Sequence, residues 1–113
     1  MPYHFIFTEW FDRNLKFLRK HNPTLRTELE VFLRDFDAEA HPISPGTGGA
    51  RKARMKARTR GKRGGYRVIY YFVTSDQAVW LITIYDKVQQ ENLSAADTAR
   101  VLKMIEAIRT ARF

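Results

Sequence analysis

The sequence predicts an α+β fold: a small twisted, mostly antiparallel sheet, with elements in the order β-α-α-β-β-β-α and helices packed on one face. Three observations predict it. Apolar residues recur at helical spacing within residues 1–40 and again near the C-terminus. Strand-like runs crowd the stretch between Lys52 and Tyr85. The segment HPISPGTGGA, residues 41–50, with two Pro and three Gly, separates the helical part from the strand part. A length of 113 residues fits one domain spanning 1–113, and no internal repeat is visible.

Tyr3, Phe5 and Phe7 alternate with His4 and Ile6 in a short first strand. Thr8 can cap a helix over 9–20 that carries Phe11, Leu15 and Leu18 on one side. Asn22-Pro23 reads as the next helix start, with Asn as N-cap, and Leu25, Leu29, Phe32 and Phe36 carry an apolar stripe to about residue 39. The short link suggests that the two helices pair as a hairpin. From 52 to 58 the alternation is strict: Lys52, Arg54, Lys56 and Arg58 on one side, Ala53, Met55 and Ala57 on the other. Period two means a strand with a charged face and an apolar face. RGKRGG, residues 60–65, is a basic turn. Tyr66–Val73 and Ala78–Tyr85 are strands joined by a turn over 74–77; both are apolar on each face, which predicts central positions. Ser94 and Asp97 resemble a capping box ahead of a helix carrying Val101, Leu102, Ile105 and Ile108.

Hydrophobic content of 44% and aromatic content of 13% supply one compact core. There is no Cys, so neither a disulfide framework nor a thiolate metal site is available, and a reducing cytosol fits. No apolar run reaches the roughly 18 residues of a membrane span, and MPYHFIFTEWF lacks the pattern of a signal peptide. His4, His21 and His41 are dispersed without metal-ligand spacing.

The net charge of +8 is concentrated. Between Ala40 and Ser75 there are nine Lys or Arg and no acid, while the rest of the chain holds eleven cations against twelve acids. Such a local field attracts a polyanion. The plainer reading is a solvated basic loop whose charges protect a sheet edge from aggregation. The alternation sends the cations of 52–58 towards the face opposite the helices, lining a basic concavity.

GTGGARKARMKARTRGKRGGYRVIYYF, followed by LITIYDKVQQENLS, resembles the RelE/ParE superfamily of toxins from type II toxin–antitoxin pairs, and within it the HigB-like branch. The pieces that match are GTGG, the alternating basic strand, GKRGG, YRVIYY and a Tyr-x-Lys ending the last strand; residues 1–40 match only in pattern. The resemblance implies a RelE-like sheet with two N-terminal helices against it. It implies a cytoplasmic endoribonuclease, an mRNA interferase that enters the ribosomal A site, cuts mRNA during translation and so inhibits translation. It implies an antitoxin partner, of HigA type with a helix-turn-helix, and contact with operator DNA only through that antitoxin. No cofactor, metal or membrane is implied.

The implied reaction is metal-independent: a ribose 2′-OH attacks the adjacent phosphate and the 5′-oxygen leaves, giving a cyclic phosphate. The protein must stabilise charge on the phosphorane and move two protons. The motif region holds no His, so a paired-His mechanism is not available there. By the resemblance Arg67 contacts the scissile phosphate, where the guanidinium fork matches phosphate oxygens; its plain alternative is an ion pair with a helix acid. Arg54 and Lys56 match the basic pair on the preceding strand, with simple phosphate affinity as the alternative. Lys87 matches a cation that assists the leaving group, against a solvated strand end. Where related proteins often carry a Tyr, this chain has Leu93; Tyr85 is the candidate substitute, against a half-buried sheet tyrosine. Arg51, Lys52, Arg58, Arg60, Lys62 and Arg63 are expected to dock on ribosomal RNA, and Tyr85 to contact RNA. Two other readings compete: a gyrase-inhibiting toxin of ParE type, and a non-catalytic nucleic-acid-binding relative.

Overall fold

A computed structural model of the chain describes residues 3–56 and 65–111. The elements are β1 (His4–Phe7), α1 (Glu9–Arg19), α2 (Leu25–Arg34), β2 (Arg51–Met55), β3 (Tyr66–Val73), β4 (Ala78–Asp86) and α3 (Ala95–Thr110), the expected order. They form a four-stranded sheet ordered β1-β4-β3-β2. β2, β3 and β4 make an antiparallel meander, and β1 joins β4 in parallel. The two strands that read as apolar on both faces are indeed central, and the basic strand β2 is an edge.

The helix starts obey local chemistry. The Thr8 hydroxyl accepts from the Phe11 N–H at 3.1 Å, and the Ser94 hydroxyl accepts from the Asp97 N–H at 3.0 Å. The second helix departs from expectation at both ends: it starts at Leu25 and stops at Arg34. Asn22 does not cap it. Its side chain is buried and donates to the Tyr66 hydroxyl at 3.1 Å and, at 3.4 Å, to the carboxylate of the buried Glu28. A polar side chain drawn into the core by such partners cannot also serve the helix end. Past Arg34 the apolar stripe continues without helix: Phe36 and Ala38 are buried, and Ala38 is held between the Tyr3 hydroxyl, which accepts from its N–H, and the Tyr70 hydroxyl, which donates to its carbonyl.

Two cores flank the sheet. α1 and α2 lie on one face, as expected, where Phe11, Leu18, Leu25, Leu29 and Leu33 meet Tyr66, Val68, Tyr70 and Leu81. The other face is not left wholly open. Ile69 and Ile82 there meet Val101, Ile105 and Ile108 of α3. Strands that are apolar on both faces require cover on both, so α3 takes this position. A register shift between Ile69 and Tyr70, which pair with Thr83 and Leu81, inserts Ile82 as an extra residue in β4. This bulge lets Leu81 and Ile84 share the first core while Ile82 and Tyr85 share the second. Each fully buried Leu or Ile contributes roughly 1.5–3 kcal/mol.

The loop before β2 is built to meet α3. Gly48 sits at φ +78°, and a Cβ there would lie 2.7 Å from Leu102 Cδ1. The buried Thr47 hydroxyl donates to the Ser44 carbonyl at 2.6 Å and accepts from the Ala50 N–H at 3.0 Å. Arg109 then ties α3 down, donating to the Tyr71 hydroxyl at 3.2 Å and to the Gly48 carbonyl. Arg100 stacks 4.0 Å above the Trp10 ring and joins α3 to α1. Among the described residues no helix is long and apolar enough to cross a membrane.

Candidate nucleic-acid interface

The alternation that placed cations on one side holds from Lys52 to Lys56. Ala53 and Met55 are buried in the first core, and Arg54 and Lys56 are exposed. In the ladder Arg54 stands opposite Arg67, and Arg67 stands opposite Tyr85. Directly paired residues project to the same face, so these three form one row across β2, β3 and β4. The row lies on the α3 side, since Arg67 alternates with the first-core residues Tyr66 and Val68.

Arg67 is 8% exposed, yet its one hydrogen bond is a long donation, 3.4 Å, to the Tyr66 carbonyl. Among the described residues no acid pairs with it, and none pairs with Arg54. The ion pair with a helix acid is therefore not what the fold makes of Arg67. Like charges directly opposite on a sheet cost roughly 0.2–1 kcal/mol. A guanidinium carries five donors, and burying it with so few used is costlier than leaving it in water. Two adjacent forks with unspent donors suit an anion with several oxygens.

Tyr85 ends the row. Burial pushes its hydroxyl pKa up, and the nearby Arg67 charge works against that rise, so at neutral pH the group is a phenol able to donate. Its hydroxyl is buried and has no hydrogen-bond partner among the described residues. At 7% exposed, Tyr85 lies deeper than the half-buried sheet tyrosine of the plainer reading.

The segment 87–94 crosses this face from the end of β4 towards β2. Lys52, opposite Ile69, donates from Nζ to the Asn92 side chain at 3.1 Å. Leu93 packs against the second core, so the position that lacks a tyrosine is filled by a half-buried apolar group. Lys87 is exposed just past β4, and its N–H donates to the Gly65 carbonyl at 3.1 Å beside the end of β2 and β3. Lys56 follows the end of β2 at the same margin. The structure thus brings Arg54, Arg67 and Tyr85 into one row, with Lys52, Lys56 and Lys87 around it.

Arg51 does not join them. It pairs with Tyr70 in the ladder, on the other face, and its guanidinium donates to the His41 carbonyl at 2.6 Å. Arg58, Arg60, Lys62 and Arg63 lie outside the described residues. Beyond Tyr85, at the outer margin of β4, is a cavity of about 170 Å³ that Asn14, Phe17, Gln89 and Gln90 help to line; sequence reading passed over it. One signal was present: Phe17 falls off the Phe11–Leu15–Leu18 stripe and is 53% exposed. Among the described residues no cluster of His, Cys, Asp and Glu is placed to hold a metal ion.

Two solved structures are similar to this chain. One is the E. coli toxin RelE in the free state, carrying two arginine-to-alanine substitutions: identity is 25%, with 80% of this chain and 90% of that one covered, and a TM-score of 0.46. The other is the intact E. coli RelBE toxin–antitoxin complex, with 22% identity, 73% and 93% coverage and a TM-score of 0.47. The family model for the RelE toxin of the RelE / RelB toxin–antitoxin system matches residues 7–112, nearly the whole chain, and the chain accordingly belongs to the RelE toxin family.

Proposed function

We propose that this toxin is a translation-dependent mRNA endonuclease of the HigB-like branch, acting in the cytoplasm at the ribosomal A site. The observation that carries the proposal is Arg67: a nearly buried guanidinium, directly opposite Arg54, with no acid partner among the described residues. Family membership supports the same reading. The substrate supplies the nucleophile, as its 2′-OH attacks the adjacent phosphate. Arg67 and Arg54 hold the non-bridging oxygens and stabilise the extra negative charge of the phosphorane. Lys56 serves the same phosphate as a compact point charge. Lys87, at the margin, steadies the leaving 5′-oxygen. Lys52, with Arg58, Arg60, Lys62 and Arg63, docks on ribosomal RNA by charge.

The row contains no group that is a strong base at neutral pH, which supports dependence on the ribosome. The neutralising partner is a HigA-like antitoxin with a helix-turn-helix. Operator DNA is reached through it.

The test is controlled expression of the chain, with mRNA 5′ ends mapped across the transcriptome and purified RNA challenged with and without ribosomes. New 5′ ends within translated codons, and little cutting of naked RNA, are expected. Arrest of replication without new 5′ ends would replace this reading with gyrase inhibition. Strong cutting of naked RNA would remove the ribosome from it.

A further inference from the structure

The cavity beyond Tyr85 is separate from the arginine pair and has its own chemistry. Its volume of about 170 Å³ is below the roughly 300–1,000 Å³ of pockets for drug-sized molecules and suits one flat ring. Phe17 stands at its rim, 53% exposed, a large apolar ring that no core uses. Among the described residues its aromatic and cation–π neighbours are close in sequence, at the end of α1: His21, edge-on at 6.0 Å, and the Lys20 ammonium at 5.9 Å.

The polar lining holds three side-chain amides and the buried Asp86 carboxylate, which accepts from the Val88 N–H at 2.9 Å. Asn14 spends its NH₂ on the Thr83 hydroxyl at 2.8 Å, which leaves its carbonyl oxygen to accept. Gln90 spends its NH₂ on the Asn92 carbonyl at 3.0 Å, with the same result. Gln89 is exposed and its side chain makes no hydrogen bond among the described residues. Tyr85 lines the cavity too, with a buried hydroxyl that lacks a partner among the described residues. Two amide acceptors and one amide that offers both donor and acceptor, beside an exposed ring, suit recognition of an unstacked base.

Position supplies the last observation. Tyr85 is the ladder partner of Arg67, so the cavity begins one strand away from the arginine pair. That separation suits the phosphate and base of a single nucleotide or its neighbour.

We infer that this cavity holds a nucleobase of the substrate strand, stacked on Phe17 and read by Asn14, Gln89 and Gln90, and that it sets base preference next to the bond being cut. The inference rests on the proposed reaction for its biological meaning, but its binding half does not.

The test is a titration of the isotope-labelled protein, followed by NMR, with the four nucleosides, their 5′-monophosphates and inorganic phosphate. Nucleosides should shift residues 14–18 and 84–90, with affinities that differ among bases, and the monophosphates should also shift Arg54 and Arg67. Phe17→Ala should weaken nucleoside binding at least about fivefold, the lower end for loss of one stacking contact. Gln89→Ala, at an exposed position, should level the differences among bases. Equal binding of all four bases, shifts confined to the arginine pair, identical shifts with inorganic phosphate, or no nucleoside binding would each overturn the inference. In cells, Phe17→Ala should flatten base preference at one position beside the cut. A wild-type chain that cuts no mRNA would count against the reaction, while the titration still decides the cavity.

Discussion

Arg54 and Arg67 face each other across the β2–β3 ladder on the same side of the sheet, and among the described residues no carboxylate separates or neutralises them. A fold selected for stability alone would place an acid opposite a nearly buried arginine. The pair makes sense when a third party brings the negative charge, and a phosphodiester does so.

Arg67→Ala should therefore remove function without harming the fold. Growth inhibition on expression is expected to be lost, with cleavage falling by about a hundredfold or more, the range for removing one donor to a developing charge. The thermal midpoint should stay level or rise, because a like-charge contact goes with it. A large drop in the midpoint would show that Arg67 is a structural residue.

Arg54→Glu makes the sharper contrast. The new carboxylate would sit opposite Arg67 and pair with it, adding roughly 0.2–1 kcal/mol. Thermal unfolding should show a modest gain, and the growth assay should show no toxicity. A variant that remained toxic would remove the arginine pair from the phosphate site.

Salt should weaken ribosome binding steeply. Each phosphate contact releases counterions, so the logarithm of affinity should fall nearly linearly with the logarithm of salt. Lys52→Ala should make that slope shallower by about one unit. A flat response in the wild type would contradict docking by the basic strand.

Gly48→Ala should destabilise the chain by about 1–3 kcal/mol, since the position is left-handed and the new methyl meets Leu102 Cδ1 at 2.7 Å. Adding Leu102→Ala relieves the clash but leaves the backbone at φ +78°, so rescue should be partial. Chemical denaturation of the wild type and the two variants measures this, and full rescue would show that only the contact matters.

Alkaline pH gives a further check. Burial raises the pKa of Tyr70 and Tyr85 above the ordinary 10.0. The folded chain then keeps protons that the unfolded chain releases near pH 10, so stability is full below that pH and falls as pH rises through it. Tyr85→Phe removes a hydroxyl that has no partner and should lessen the fall. An unchanged alkaline profile in that variant would mean that Tyr85 is not held as a phenol.

The sequence by itself determined the order of elements, the helix starts at Thr8 and Ser94, the edge position and charged face of β2, and the concentration of positive charge. These follow from periodicity and composition, which act over neighbouring residues. It also singled out Arg54 and Arg67 through a motif. Only the tertiary structure decided that they stand directly opposite, that Arg67 has no acid partner among the described residues, and that Tyr85 completes their row. Ladder register determines those relationships, and register depends on the bulge at Ile82 and on packing against both faces. Asn22, a cap by its local sequence, became a core group because Tyr66 met it across the fold and the buried Glu28 met it from α2. Arg51, one more cation in the run, turned to the other face and bonded the His41 carbonyl, because side chains alternate along a strand and only the sheet says which face each side meets.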